Sequence, residues 1–442
     1  MRTGSTFCRR LISKWRFMVR QSSGLLICGI LLSACGDLSP SKGPITYLKI
    51  KGGVASDEPR SALVGKQVLT SGGNAVDALV AMYFALSVTY PVSGTLGGGG
   101  ICIVHDGKDG TTAAIDFRPE KYVTRGTTVS IPGAVRGMYA IHARFGREKW
   151  EKLLIPAERL ARFGYPVSRV LARRLAELPQ SVFLHPTIRQ SFTSNGVPLK
   201  EGHKFVQQQL SSIIGQVRLR GPRGFYAGDV ALDVIAGMEE TTNVAVPAAT
   251  LTSYRPRWVT PKTITFGNRT MFVPGGLVGS EAIAMWRAAI KRRYTPALSS
   301  NRSDSAGLSA IDVEGNAVAC AVSANGVLGA KRMIGSTGIL MANTNAERFP
   351  GLPIIFAHKY RTDAIGVVTG SGGSNAAMIA INRAARTFFI ETGLQQSIKE
   401  NGLKANVRAN IIRCPKGSRR DPLSCEFFAD PRGFGLAISA SH

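Results

Sequence analysis

The sequence predicts a layered protein of the α/β or α+β class, with strands enclosed between helices. Three observations carry this. Residues 75–88 form a helix that is apolar nearly all round. Two pairs of strand-like runs, 101–105 with 111–117 and 308–313 with 317–322, each close on a polar turn. A further strand, 365–369, runs into Gly370-Ser371-Gly372-Gly373-Ser374 and then into helical sequence.

Taken in order, Gly72-Gly73-Asn74 precedes the first helix, with Asn74 placed to cap it. Val76, Leu79, Val80, Met82, Tyr83 and Leu86 leave it no polar face, so burial is expected. A glycine-rich stretch, Gly97 to Gly100, leads into the first strand pair, whose 106–110 turn suits a hairpin. Ile131-Pro132-Gly133-Ala134 opens helical sequence that continues, with breaks, to Phe163, where Gly164 and Pro166 end it. Residues 176–300 are less patterned, with mixed helical segments and a short strand at 263–266. Ser299-Ser300-Asn301-Arg302-Ser303-Asp304 is expected to be an exposed loop, because nothing in it can pack. Glu314-Gly315-Asn316 turns the second hairpin, and a helix is expected from Asn375 towards Lys399.

With 442 residues, 44% of them hydrophobic, the chain can bury a large core. It has no short-period repeat and no long low-complexity stretch, which excludes solenoids and disordered tails. The net charge is +27; taking away the six positive charges of residues 1–34 leaves +21. The basic residues are scattered and no nucleic-acid motif is present, so the reading is a solvated basic surface rather than a nucleic-acid binder. No Cys/His spacing suggests a metal site.

Residues 1–24 are basic, and 25–32 are a short apolar run, too short to span a bilayer comfortably. Leu32-Ser33-Ala34-Cys35 resembles a bacterial lipobox. The expectation is a lipoprotein signal peptide over 1–34, lipidation of Cys35, a flexible tether over 35–49 and residence in the cell envelope, lipid-anchored in the periplasm. The alternative is an ordinary signal with a chance cysteine. Cys102 and Cys320 lie in apolar runs and are expected as buried thiols. Cys414 and Cys425 flank a polar loop and are expected either to pair in an oxidising compartment or to stay as two loop thiols.

Three separated stretches resemble γ-glutamyltransferases. The first is Gly72-Gly73-Asn74-Ala75-Val76-Asp77-Ala78 with Gly97–Gly100 and Ala114-Ile115-Asp116-Phe117-Arg118. The second is Val129-Ser130-Ile131-Pro132-Gly133-Ala134. The third runs from Ser305 to Leu340, with Asp312-Val313-Glu314-Gly315-Asn316 and Gly335-Ser336-Thr337-Gly338 inside it. Their order is that of the family. The resemblance implies an α+β fold, the four-layer αββα sandwich of the N-terminal-nucleophile hydrolases. It also implies a precursor that cuts itself into a large chain, here 50–304, and a small chain, here 305–442. The expected activity is hydrolysis or acyl transfer on γ-glutamyl amides such as glutathione, with no cofactor.

Role by role, the resemblance places the nucleophile on Ser305, freed by cleavage after Asp304. The family has Thr there, but Ser offers the same hydroxyl, and a freed α-amine can accept its proton. Ser323 matches a second hydroxyl that bonds the nucleophile. Gly372 and Gly373 match an oxyanion-hole pair, where backbone without Cβ presents N–H groups to a tetrahedral oxyanion. Arg118, Asn325 and Glu347 match the residues that hold the glutamyl carboxylate and amino groups. On residue type alone, each of these is also an ordinary loop, turn or surface residue.

The sequence departs from the family too. Gly351-Leu352-Pro353-Ile354-Ile355 stands where the family has Pro-Leu-Ser-Ser, which removes two donors and adds apolar side chains expected to weaken binding of a zwitterionic acyl group. Ala306 and Gly307 follow the nucleophile in place of Thr and His. A second expectation therefore stands beside the enzyme: a non-catalytic exported lipoprotein that keeps the fold and binds a cell-envelope partner.

Overall fold

The computed structural model describes residues 49–291, 304–344, 351–373, 375–391 and 407–441. Residues 1–48, with the expected signal and Cys35, lie outside the described residues, as do Glu347 and the 292–303 segment.

In chain order the framework is β1 (Ile50–Ser56), α1 (Pro59–Thr70), α2 (Ala75–Thr89), β2 (Gly99–His105), β3 (Thr112–Asp116), α3 (Ala134–Phe145), α4 (Trp150–Phe163) and α5 (Arg169–Ala176). After a largely helical stretch come β4 (Arg257–Val259), β5 (Lys262–Phe266), β6 (Arg269–Val273) and α6 (Gly276–Ile290). The remainder is β7 (Ala306–Asp312), β8 (Ala317–Ser323), β9 (Leu352–His358), β10 (Ala364–Ser371), α7 (Ala376–Ala384), β11 (Arg408–Arg413), β12 (Glu426–Phe428) and β13 (Leu436–Ser441).

One sheet has 7 strands in the order β4-β3-β2-β8-β7-β1-β13, and a second has 6 in the order β5-β6-β9-β10-β11-β12. All pairings within both are antiparallel. The sheets face each other across Ala55, Ile103, Ala319, Ile355, Val367 and Ile412. The outer face of the first carries α1 to α4, and the outer face of the second carries α6 and α7. This is the expected helix–sheet–sheet–helix sandwich.

Two buried faces explain the strand sequences. In β8, Ala317 and Ala319 point at the second sheet, while Val318, Cys320 and Val322 point at the helices. With both faces covered, a strand reads as a continuous apolar run. The alanines let the two sheets approach. In β9, Ile354 joins the helix-side core and Ile355 the inter-sheet core. Both apolar side chains of the stretch that replaces Pro-Leu-Ser-Ser are thus spent on packing.

Helix α2 is buried along its whole length. Asn74 and Asp77 form a capping box, and the carboxylate of Asp312, at the end of β7, accepts from Ala75 N at 2.9 Å. The helix is thereby fixed to the strand that begins beside Ser305. Two disulfides are present. Cys414–Cys425 closes the polar loop, and Cys102–Cys320 joins β2 to β8 at directly paired positions, with Cα atoms 4.1 Å apart. The expectation of buried thiols at Cys102 and Cys320 is corrected. The pairing depends on which strands are neighbours and in which register, and no local pattern in the sequence encodes that.

Candidate active site

The antiparallel order brings the ends of six strands to one edge. Ser305 precedes β7, Ser323 ends β8 opposite Gly99 at the start of β2, and Arg118 follows β3. From the second sheet, Gly351 precedes β9 and Gly372 follows β10.

Asp304 and Ser305 are fully buried, which corrects the expectation of an exposed loop reaching Asp304. The carboxylate that made the segment look solvent-facing is neutralised inside. Gly372 N–H donates to Ser305 Oγ at 3.0 Å. Gly372 has φ +96°, a conformation that a residue with Cβ adopts only under strain. Gly373 comes next, and its carbonyl accepts the opening bond of the following turn from Ala376 N at 2.9 Å. A Cβ on Gly351 would sit 3.3 Å from Ser305 Oγ, so this glycine also borders the Ser305 hydroxyl.

Ser323 Oγ donates to the backbone carbonyl of Asp304 and accepts from Asn325 N at 2.7 Å. The expected bond from Ser323 to the nucleophile hydroxyl is therefore directed to the adjacent carbonyl. In the uncut chain that carbonyl is the acceptor within reach. Asn325 lies at φ +61°, and its side-chain amide donates to Asn343 O at 3.0 Å. It shapes the turn behind Ser323.

Arg118 stands at this edge, where a Cβ on Gly99 would lie 2.9 Å from Arg118 Cα. Its guanidinium grips Asp116 with both prongs, Nε to Oδ1 at 3.0 Å and Nη2 to Oδ2 at 2.7 Å. That hydrogen bonding raises the Arg118 pKa. Burial opposes ionisation of Asp116, but Arg118 outweighs it and keeps the carboxyl below the usual range.

Sequence reasoning missed the charged groups around the Asp304–Ser305 bond. Asp57 accepts from Gly307 N at 2.8 Å, from the Ser371 hydroxyl and from Asn410 Nδ2 at 2.8 Å, tying β7, β10 and β11 together beside Ser305. Arg408 is buried and reaches Ser305 O at 3.1 Å, Asp57 Oδ2 at 3.4 Å and Tyr90 OH at 3.3 Å. Burial disfavours its charge, but Asp57, Tyr90 and Asp304 together hold its pKa above the ordinary value. The Asp304 carboxylate is met by Ser93 Oγ at 2.6 Å and by Arg174 Nη2 at 3.0 Å. The signal that could have pointed here is Pro59, a residue suited to the first turn of a helix; Glu58 before it accepts from Ser61 N at 2.8 Å.

Residues 61–306 match the family described as gamma-glutamyltranspeptidase, more than half of the chain. The chain belongs to this family. Among gamma-glutamyltranspeptidase relatives it is 32% identical over 234 residues to the glutathione hydrolase proenzyme of Bacillus subtilis (strain 168), covering 47% of this chain and 40% of that protein. It is 32% identical over 255 residues to the glutathione hydrolase proenzyme of Escherichia coli (strain K12), covering 51% and 43%. The chain thus spans about two fifths of the length of these relatives. The fold is matched more widely. A cephalosporin acylase from Bacillus halodurans superposes with a TM-score of 0.70 at 17% identity, over 91% of this chain and 99% of that one. The gamma-glutamyltranspeptidase match ends one residue past Ser305, so it takes in Asp304, Ser305 and most of the region before them.

Proposed function

We propose that the chain is a self-cleaving γ-glutamyltransferase-like hydrolase or acyltransferase, cut between Asp304 and Ser305 and acting on γ-glutamyl amides through an acyl-enzyme on Ser305. One observation carries the reading. A buried peptide bond has its carbonyl oxygen bonded by the Ser323 hydroxyl, while the hydroxyl of the next residue, Ser305, is held by Gly372 N–H. In self-cleavage, Ser305 Oγ bonds to the Asp304 carbonyl carbon, the oxyanion is stabilised at Ser323, and the C–N bond breaks as nitrogen takes up a proton. Water then hydrolyses the ester, leaving a carboxylate on Asp304 and a free amine on Ser305. That amine accepts the Oγ proton when the next acyl donor is attacked.

The lipobox-like Leu32-Ser33-Ala34-Cys35 and the two disulfides support export to an oxidising envelope compartment with an anchor on Cys35. N-terminal sequencing of the purified protein tests the cut. A sequence beginning Ser305-Ala306-Gly307 is expected. Its absence would overturn the enzyme and favour a binding lipoprotein of the same fold.

A further inference from the structure

The turns at the end far from Ser305 form one connected surface. Followed away from Ser305, the strands turn at 106–111 between β2 and β3, at 313–316 between β7 and β8, and at 359–363 between β9 and β10, while β11 runs into the 414–425 loop. Arg419, in that loop, donates to Glu314 O and Gly107 O, and Thr362 Oγ1 donates to Gly107 O at 3.0 Å. The Cys414–Cys425 bond closes the loop. β1 starts at the same end: Gly52 pairs with Asp312, and Lys51 O accepts from Val313 N at 3.2 Å.

Two features set this surface apart. Large apolar side chains stand in solvent on it. Tyr360 is 72% exposed and Leu423 73%, and Phe389 and Ile390 are exposed beside the β5–β6 turn, where Arg269 donates to Phe388 O. Cations surround them. Lys359 Nζ lies 5.1 Å from the Tyr360 ring centre. A cleft of about 630 Å³ is lined by Arg269, Arg361, Lys416 and Arg420 and by one carboxylate, Asp421. Lys49, Lys51, Lys108, Lys359, Arg419 and Arg420 make no ion pair among the described residues, whereas Glu314, Glu391, Asp421 and Glu426 are each paired. Asp106 and Asp109 are the surface carboxylates left there without a cation among the described residues. Surplus positive charge beside exposed aromatic and aliphatic groups suits a lipid interface, where apolar side chains enter below the headgroups and Lys and Arg meet phosphate.

We propose that this end is a docking face for an anionic lipid bilayer, and that it holds the Ser305 edge pointing away from the membrane. The inference rests on Cys35 as the lipid anchor. Residues 36–48 span at most about 45 Å even fully extended, and the chain enters the sandwich at Lys49, on this same end. The anchor therefore keeps the face beside the bilayer, and the surplus cations, Tyr360 and Leu423 supply the contact. Substrate reaches Ser305 from the aqueous side.

Lysine modification tests the face. The whole lipoprotein is reconstituted into vesicles of phosphatidylcholine alone, or of an equal mixture with phosphatidylglycerol. It is then treated with a water-soluble acetylating reagent, and each lysine is followed by peptide mass. Each cation near an anionic leaflet adds about fivefold to the attraction. Lys108, Lys359 and Lys416 should therefore react about tenfold or more slowly on the mixed vesicles at low salt, and high salt should erase the difference. Lys331, exposed in the segment beyond Ser323, should react alike on both. Equal rates for Lys108, Lys359 and Lys416 on the two vesicles would overturn the face and leave the anchor standing. A protein that floats with neither vesicle has no anchor, and the inference falls with it. Arg420→Glu/Leu423→Ser, which changes two exposed side chains, should bring the rates on the two vesicles together. Protection that persists in this variant would place the contact elsewhere and overturn the face.

Discussion

In the proposed self-cleavage the Ser323 hydroxyl touches the oxygen that becomes negative as Ser305 attacks, so its effect belongs to the transition state. Ser323→Ala should slow appearance of the Ser305 N-terminus by about 100- to 1000-fold, the loss typical of one oxyanion donor, measured by timed N-terminal sequencing of freshly made protein. Ser305→Ala should leave the bond intact at all times, and Ser305→Thr should still be cut, because only the hydroxyl is used. A Ser305→Thr chain that stays whole while wild type is cut would show that the added methyl does not fit beside Gly351, where even a Cβ on the glycine would stand 3.3 Å from Oγ. At this scale it was the family resemblance that singled out Ser305, Ser323 and Gly372, since on residue type alone each is an ordinary loop or turn residue. Asp57, Arg174 and Arg408 were not picked out. They lie far apart in sequence and act only because folding buries them together.

Among the elements, α2 shows what a local pattern can determine. Asn74 accepts from Asp77 N at 2.9 Å and donates to Phe145 O at 2.7 Å, so it caps α2 and holds the end of α3. Asn74→Ala should cost about 1–2 kcal/mol, read as a lower urea midpoint with an unchanged slope. A shift of a few tenths would mean that Asp312, which also accepts from Ala75 N, is sufficient as a cap. The helix and both hairpins were legible because their periodicity and turns are local. β1 and β13 were not read, because short runs near the chain ends gain their order from pairing with each other and with β7. β9 escaped notice for a related reason. Its Pro353 and its apolar run on both faces give no alternation to read.

Across the whole molecule, His105 links the two sheets at the end far from Ser305. Its Nε2 reaches Thr362 O at 2.6 Å, and Nδ1 meets Thr112 Oγ1 at 2.8 Å. Burial lowers its pKa below the ordinary 6.5, with the Thr362 bond opposing. The unfolded chain therefore binds the proton first on acidification. Stability from this group is complete above 6.5 and is lost as pH falls through the folded value. The Tm should fall on acidification through this window, and His105→Gln should fall less steeply. An equal slope in both proteins would remove His105 as the cause. The sandwich itself was foreseen from resemblance, whereas the register that pairs Cys102 with Cys320 was visible only in three dimensions. That bond has a practical outcome. Cys102 lies before the proposed cut and Cys320 after it, so the two products stay covalently joined. On a gel run without thiol the cut protein would migrate as a single band, and its unreduced mass would exceed that of the uncut chain with the same N-terminus by only one water. Only after reduction would two polypeptides separate.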